Sequence, residues 1–182
     1  MENDAASAGV RTGGLFNTTD IRILICYILS AINEPVPANL LANTLHYEGI
    51  ANGFEVSDAI ISLTQSGQIK QVDLKDDTYM ITESGRTVAE TLKTSISFAA
   101  KDRAYSAAIK MLSRFKNAKD TDFTITHEGE NTYITCSLLD GGTPFLSVKL
   151  LITDDGQAEC IREKVLTDPA ILYSGIIDLL TK

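Results

Sequence analysis

Gly67-Gln68-Ile69-Lys70-Gln71-Val72-Asp73-Leu74-Lys75-Asp76-Asp77-Thr78-Tyr79-Met80-Ile81-Thr82-Glu83-Ser84-Gly85 is where the hydrophobic period of this chain changes. Up to Gly67 the apolar residues recur at helical spacing. From Gln68 to Leu74 they alternate, with Ile69, Val72 and Leu74 as the apolar members. Lys75-Asp76-Asp77 is a polar turn, and Thr78 to Thr82 returns as a short strand containing Tyr79 and Ile81. Thr82-Glu83-Ser84 then opens a helix carrying Val88 and Leu92.

Three helices precede this hairpin. The first spans Thr18 to about Asn33, with Ile21, Leu24, Ile25, Ile28, Leu29 and Ile32 repeating and Asp20 at its positive end. It is apolar on almost every face, so it is either buried or part of a subunit interface. Glu34-Pro35-Val36-Pro37 stops it. A second helix starts at Pro37 with Leu40, Leu41 and Leu45 as its stripe. The third runs from about Phe54 to Ser66, with Val56, Ile60 and Leu63 on one face and Gly67 placed to end it. Helix, helix, helix, hairpin, helix is the order of a winged helix-turn-helix.

The second half reads differently. Lys101 to Lys119 is one long amphipathic helix with Ala104, Ala108, Met111, Leu112 and Phe115 on a stripe. Alternating segments follow at about 121–127, 131–139, 143–153 and 157–165, joined by Glu128-Gly129-Glu130-Asn131, Asp140-Gly141-Gly142 and Asp154-Asp155-Gly156. Connections this short predict a four-stranded antiparallel meander. Asp168-Pro169 begins a last helix, with Leu172, Ile176, Leu179 and Leu180 expected on its buried side. The expected fold class is α+β: a leader over 1–17, a winged helix over 18–95, and a module over 96–182 whose sheet is flanked by helices.

The 182 residues carry 16 Lys plus Arg against 24 Asp plus Glu, a formal charge of −8. That sign excludes a protein holding polyanions by bulk charge. The longest greasy stretch, Ile21 to Ile32, contains Arg22 and falls short of the ~20 residues that span a bilayer, so no membrane contact is expected. Met1 to Gly14 lacks a signal-peptide pattern, which points to the cytoplasm. Cys26, Cys136 and Cys160 are far apart and odd in number, as buried thiols in a reducing compartment would be.

Tyr79-Met80-Ile81-Thr82-Glu83-Ser84-Gly85 resembles the Y-x-[IL]-T-x-x-G signature that closes the wing of MarR-like and PadR-like winged-helix regulators. Ser57 to Ile69 resembles their recognition helix running into the first wing strand. The whole chain more closely resembles an uncharacterised bacterial family in which a winged helix precedes an α/β C-terminal module. The motif also has a physical logic: the aromatic fills space under the wing, Thr caps the helix, and Gly permits close packing.

The resemblance implies a transcription regulator that binds double-stranded DNA as a homodimer, its third helix reading the major groove. The apolar helices 18–33 and 169–181 are then the natural dimer surfaces. On the third helix Phe54, Asp58, Ile61 and Gln65 lie opposite the core face. Gln65 suits an adenine edge, Ser57 and Ser62 a phosphate, Ile61 a thymine methyl, and Asp58 a cytosine amine. Lys75 in the turn and Arg86 are further candidates for the backbone. Against this, residues 18–95 hold Arg22, Lys70, Lys75, Arg86 and Lys93 but ten carboxylates, a net −5.

Basic charge gathers instead on 101–119, a local +5 in which Arg103, Lys110 and Arg114 align within about 40° as a stripe for phosphate or an acidic partner. The alternative is a winged module that binds protein rather than DNA, favoured by Ile61 and Phe54 in an acidic surround. His46 and His127 lie in different modules without metal-ligand spacing, and no phosphate loop, nucleophile elbow or zinc motif appears. No enzyme activity, cofactor or metal is expected.

Overall fold

The computed structural model describes Leu15 and residues 17–182. The leader expected over 1–17 lies outside the described residues except at Leu15 and Asn17. The protein is α+β, with seven helices and two three-stranded antiparallel sheets among the described residues. It divides into two compact units, the first ending at Leu112 and the second running from Ser113 to Lys182.

The first unit opens with α1 (Thr18–Ile32), capped by Asn17, whose side chain accepts from Thr19 N. Asn33 closes it in the left-handed conformation and returns its amide to Leu29 O. Ile21, Leu24, Ile25, Ile28 and Leu29 are all fully buried, so the all-round apolar character of α1 is absorbed inside its own unit. The two-residue strand β1 (Val36–Pro37) leads into α2 (Ala38–Tyr47), and α3 (Gly53–Gln65) follows. On these helices Leu41, Leu45, Val56, Ala59, Ile60 and Leu63 are buried, while Leu40 is only half-buried.

Gly67, in the left-handed region, turns the chain into β2 (Ile69–Asp73) and β3 (Thr78–Ile81). β3 sits between β1 and β2. The register shifts between Gln71 and Asp73 where it meets β3, which re-aims the end of β2. Only Ile69 of β2 is buried, and Val72 and Leu74 face solvent, contrary to the expected apolar alternation. A two-stranded projection has one protected face at its root and none at its tip, so the inward pattern ends after one residue. Helix α4 (Glu83–Leu92) packs on α1, and a 3-10 turn (Lys93–Ser95) leads to α5 (Phe98–Lys119), within which the division between the units falls.

The second unit carries β4 (Thr121–Glu128), β5 (Asn131–Asp140) and β6 (Thr143–Ile152) in sequential order. Two-residue turns at Gly129 and at Gly141-Gly142 join them, and these glycines adopt the positive φ that such turns demand. The expected fourth strand at 157–165 is instead α6 (Asp155–Thr167), so the meander has three strands. Asp154 is a helix cap rather than a hairpin corner: its carboxylate accepts from Gln157 N at 2.8 Å, and Gln157 Oε1 accepts from Thr153 N at 2.8 Å. The first bond caps the helix through Asp154, and the second ties the preceding residue, Thr153, to the first turn. Ala158, Ile161 and Val165 then fall on one helical face and pack on Ile134, Cys136 and Leu138 of β5.

Helix α7 (Pro169–Thr181) begins where Asp168 accepts from Ala170 N. None of its residues is buried. Leu172 and Ile176 are half-covered, whereas Leu179 and Leu180, expected inside, are 84% and 78% exposed.

Candidate nucleic-acid interface

The outward surface of α3 is built by the same periodicity that buries its other face. Burial of Val56, Ala59, Ile60 and Leu63 leaves Ser57, Asp58, Ile61 and Gln65 exposed, and Ser62 half-buried. Ser57 Oγ donates to Gly53 O at 3.0 Å, leaving its lone pairs for an incoming donor. The helix is capped by Asn52, whose side chain accepts from Phe54 N at 2.9 Å. Phe54 itself is 86% exposed and Tyr47, at the end of α2, is 74% exposed.

Beside this surface lies a concavity of about 490 Å³ between α2 and α3, lined by Asn39, Asn43, His46, Phe54 and Ser57 among others. Asn39 and Asn43 were not among the residues expected from the sequence. The signal was present: they sit four apart on α2, off the Leu41 and Leu45 stripe. Their amides are neutral groups that both donate and accept, the type that reads base edges without net charge.

The hairpin tip is organised by carboxylates. Asp73 accepts from Lys75 N at 2.8 Å, and Gln71 Nε2 donates to Asp77 at 2.7 Å. The Lys75 side chain remains exposed. Asp77 adopts a left-handed φ of 47°, and burial, helped by the Asp77 carboxylate, holds the nearby Tyr79 hydroxyl above its ordinary pKa.

Arg86 projects from α4 and is engaged with the end of α1, where its guanidinium donates to the Asn33 side chain. The basic stripe is divided. Arg103 is half-buried and donates to Glu48 O at 2.6 Å, stapling the end of α2 within the first unit. Arg114 pairs with Glu163 at 2.5 Å within the second. Lys110, between them in sequence, is exposed. A helical-wheel alignment fixes direction but not the partners that long side chains find.

His46 is exposed in the last turn of α2, and His127 pairs its Nδ1 with the Thr132 hydroxyl at 3.1 Å. Among the described residues no group of three or more His, Cys, Asp or Glu is placed to hold a metal ion. Among them, too, no helix is long and apolar enough to cross a membrane.

The family model described as "Domain of unknown function (DUF4364)" matches residues 21–180. The chain belongs to this DUF4364 family. No curated protein and no solved structure matches it. The DUF4364 match begins inside α1 and ends inside α7, so the family is defined by both units together.

Proposed function

We propose that this DUF4364 chain is a cytoplasmic transcription regulator of winged-helix type, without enzymatic activity, that binds double-stranded DNA as a homodimer. The observation that carries the reading is the connectivity of the first unit. Helices α1, α2 and α3 precede a hairpin that pairs β3 between β1 and β2, and α4 closes it. In that arrangement, α3 is the recognition helix and the β2–β3 hairpin is the wing. The Tyr79-to-Gly85 segment resembles the corresponding segment of MarR-like and PadR-like regulators. Ser57, Asp58, Ile61 and Gln65 line the exposed side of α3, and Asn39 and Asn43 extend the same polar surface onto α2. Readout then rests on neutral side chains, with Lys75 reaching phosphate from the wing.

The test is fluorescence anisotropy of the full chain against labelled genomic fragments over a salt series. Saturable binding with preference among fragments, weakened by salt, supports the reading. Absence of binding to every fragment at low salt overturns it.

A second reading keeps the fold and makes α3 a protein-docking surface. Phe54, Tyr47, Ile61 and Leu74 are all exposed large apolar side chains in a net-acidic unit, a combination suited to a protein partner. It predicts co-purification of that partner and loss of the association on Phe54→Ala.

A further inference from the structure

The two edges of the second unit's sheet are unlike. The β6 edge is guarded against a further strand by Pro144, by a bulge at Phe145 where the register shifts between Leu138 and Leu139, and by Lys149. The β4 edge has none of these devices. Thr121 to Glu128 holds no proline, lysine or arginine and pairs with β5 without a break in register. Among the described residues, nothing bonds to its outer backbone groups.

The ladder fixes which groups those are. Leu139 N donates to Asp120 O at 2.9 Å, and a two-residue turn closes the pair Glu128 and Asn131. Even-numbered residues of β4 therefore turn their amides and carbonyls to β5, and Thr121, Phe123, Ile125 and His127 turn theirs outward. An open row of alternating donors and acceptors is met only by another extended strand.

We infer that two copies of this chain pair β4 to β4, antiparallel about a two-fold axis at Thr124, and join their sheets into one of six strands. Thr121 of each copy then faces His127 of the other, and Phe123 faces Ile125. These are the outward-turned residues, so the four pairs exchange about eight backbone hydrogen bonds. Phe123 against Ile125 is also a favourable aromatic and β-branched pair. Asp122 meets Thr126 where side chains stand closest. Thr126 Oγ1 has no hydrogen-bond partner among the described residues, and a χ1 rotation turns it to that carboxylate. Charge decides the register: a two-fold at Ile125 would instead set Asp122 against Glu128 at both ends. This self-complementarity selects a second copy over a foreign strand. Seven paired residues run about 24 Å and cover on the order of 450 Å² per copy, roughly half of a standard interface side. Backbone bonds rather than apolar area therefore carry the affinity, which sets a dimer of micromolar Kd. The inference rests on the homodimer part of the proposed function and not on DNA binding.

The experiment is sedimentation velocity of the full chain, without DNA, up to about 500 μM. The wild type is expected in reversible monomer–dimer equilibrium. Thr124 is exposed, so Thr124→Lys keeps the fold while setting two ammonium groups together at the axis. It should raise the dimer Kd roughly tenfold or more. Ile125→Pro removes an outward N–H and leaves the bonds to β5, so it should give a folded monomer, checked by circular dichroism and the unfolding transition. In a Cys160→Ser background, Thr124→Cys places two thiols on Cα atoms about 4.5 Å apart and should form an interchain disulfide on oxidation. Ser147→Cys on β6 should not. A dimer that Thr124→Lys and Ile125→Pro leave intact, or that Ser147→Cys links in place of Thr124→Cys, overturns the β4 assignment while the homodimer stands. A wild-type chain that stays monomeric throughout overturns both.

Discussion

Thr82 Oγ1 lies 2.7 Å from the carbonyl oxygen of Gly67, joining the residue that starts α4 to the one that ends α3. The same hydroxyl lies 2.9 Å from Gln68 O and accepts from Gly85 N at 3.3 Å, while Thr82 N donates to Gln68 O at 3.1 Å. One threonine therefore fixes the root of the β2–β3 hairpin, caps a helix and holds Gly85 against the chain. A Cβ at Gly85 would stand 2.1 Å from Gln68 O and 2.5 Å from Ile81 Cδ1. Gln68 O is backbone and cannot swing aside. Gly85→Ala should destabilise the first unit by about 3 kcal/mol, the upper end of over-packing. Thr82→Val should cost about 1 kcal/mol and Thr82→Ser much less, since serine keeps the capping oxygen. Denaturant unfolding of the three variants checks the ranking, and equal midpoints for Gly85→Ala and wild type would contradict it.

The T-x-x-G part of that segment was legible because its residues act locally: a cap and a close approach are both written in four consecutive positions. The first strand of the hairpin was less so, since the burial of Val72 and Leu74 depended on a neighbour the tip does not have. The reading of 157–165 as a strand failed on competing turn chemistry. Asp154-Asp155-Gly156 suits a hairpin, but Asp154 caps Gln157 N, and the Gln157 side chain accepts from Thr153 N, which together decide for a helix. The α3 surface was visible from period alone, whereas Asn39 and Asn43 join it only through the packing of α2 on α3. Arg86, Arg103 and Arg114 could be placed on helices but not assigned partners, because each reaches a residue 49 to 55 positions away.

If α3 reads DNA, charge and specificity should separate by residue. Lys75→Ala should weaken binding to all fragments alike and reduce the salt slope by about one per protomer. Gln65→Ala should leave that slope unchanged and cost about 1–3 kcal/mol only on preferred fragments. Asp58→Asn removes a carboxylate from the phosphate-facing side and should strengthen non-specific binding. Anisotropy titrations at several salt concentrations separate the three. A Gln65→Ala loss equal on every fragment would remove the residue from base readout.

The three cysteines should differ sharply in reactivity. Cys26 is fully buried in α1, and burial pushes its thiol up to about 11. Cys136 is buried in β5, raised by burial and by the Asp122 carboxylate. Cys160 is exposed on α6. Because the thiolate is the nucleophile, a disulfide reagent at neutral pH should modify one thiol quickly in the native protein and all three after denaturation. Cys160→Ser should abolish the fast phase. Persistence of a fast phase in that variant would place Cys26 or Cys136 within reach of solvent.

Asp154 gives the second unit an acid-sensitive joint. Its carboxyl is held below the usual range chiefly by the backbone hydrogen bond from Gln157, helped by the Thr153 hydroxyl. A carboxyl depressed in the folded state stabilises the fold at pH above its unfolded pKa of about 3.9, and the contribution fades as pH falls through the folded value. Protonation also removes the charge that favours the N-terminus of α6. The unfolding midpoint of the wild type should therefore drop over that acid window more steeply than the midpoint of Asp154→Asn, which keeps an acceptor at the cap but has nothing to titrate. At neutral pH Asp154→Ala should be less stable than Asp154→Asn, because only the asparagine can still accept from Gln157 N. Parallel pH profiles for wild type and Asp154→Asn would show that the joint carries no proton linkage.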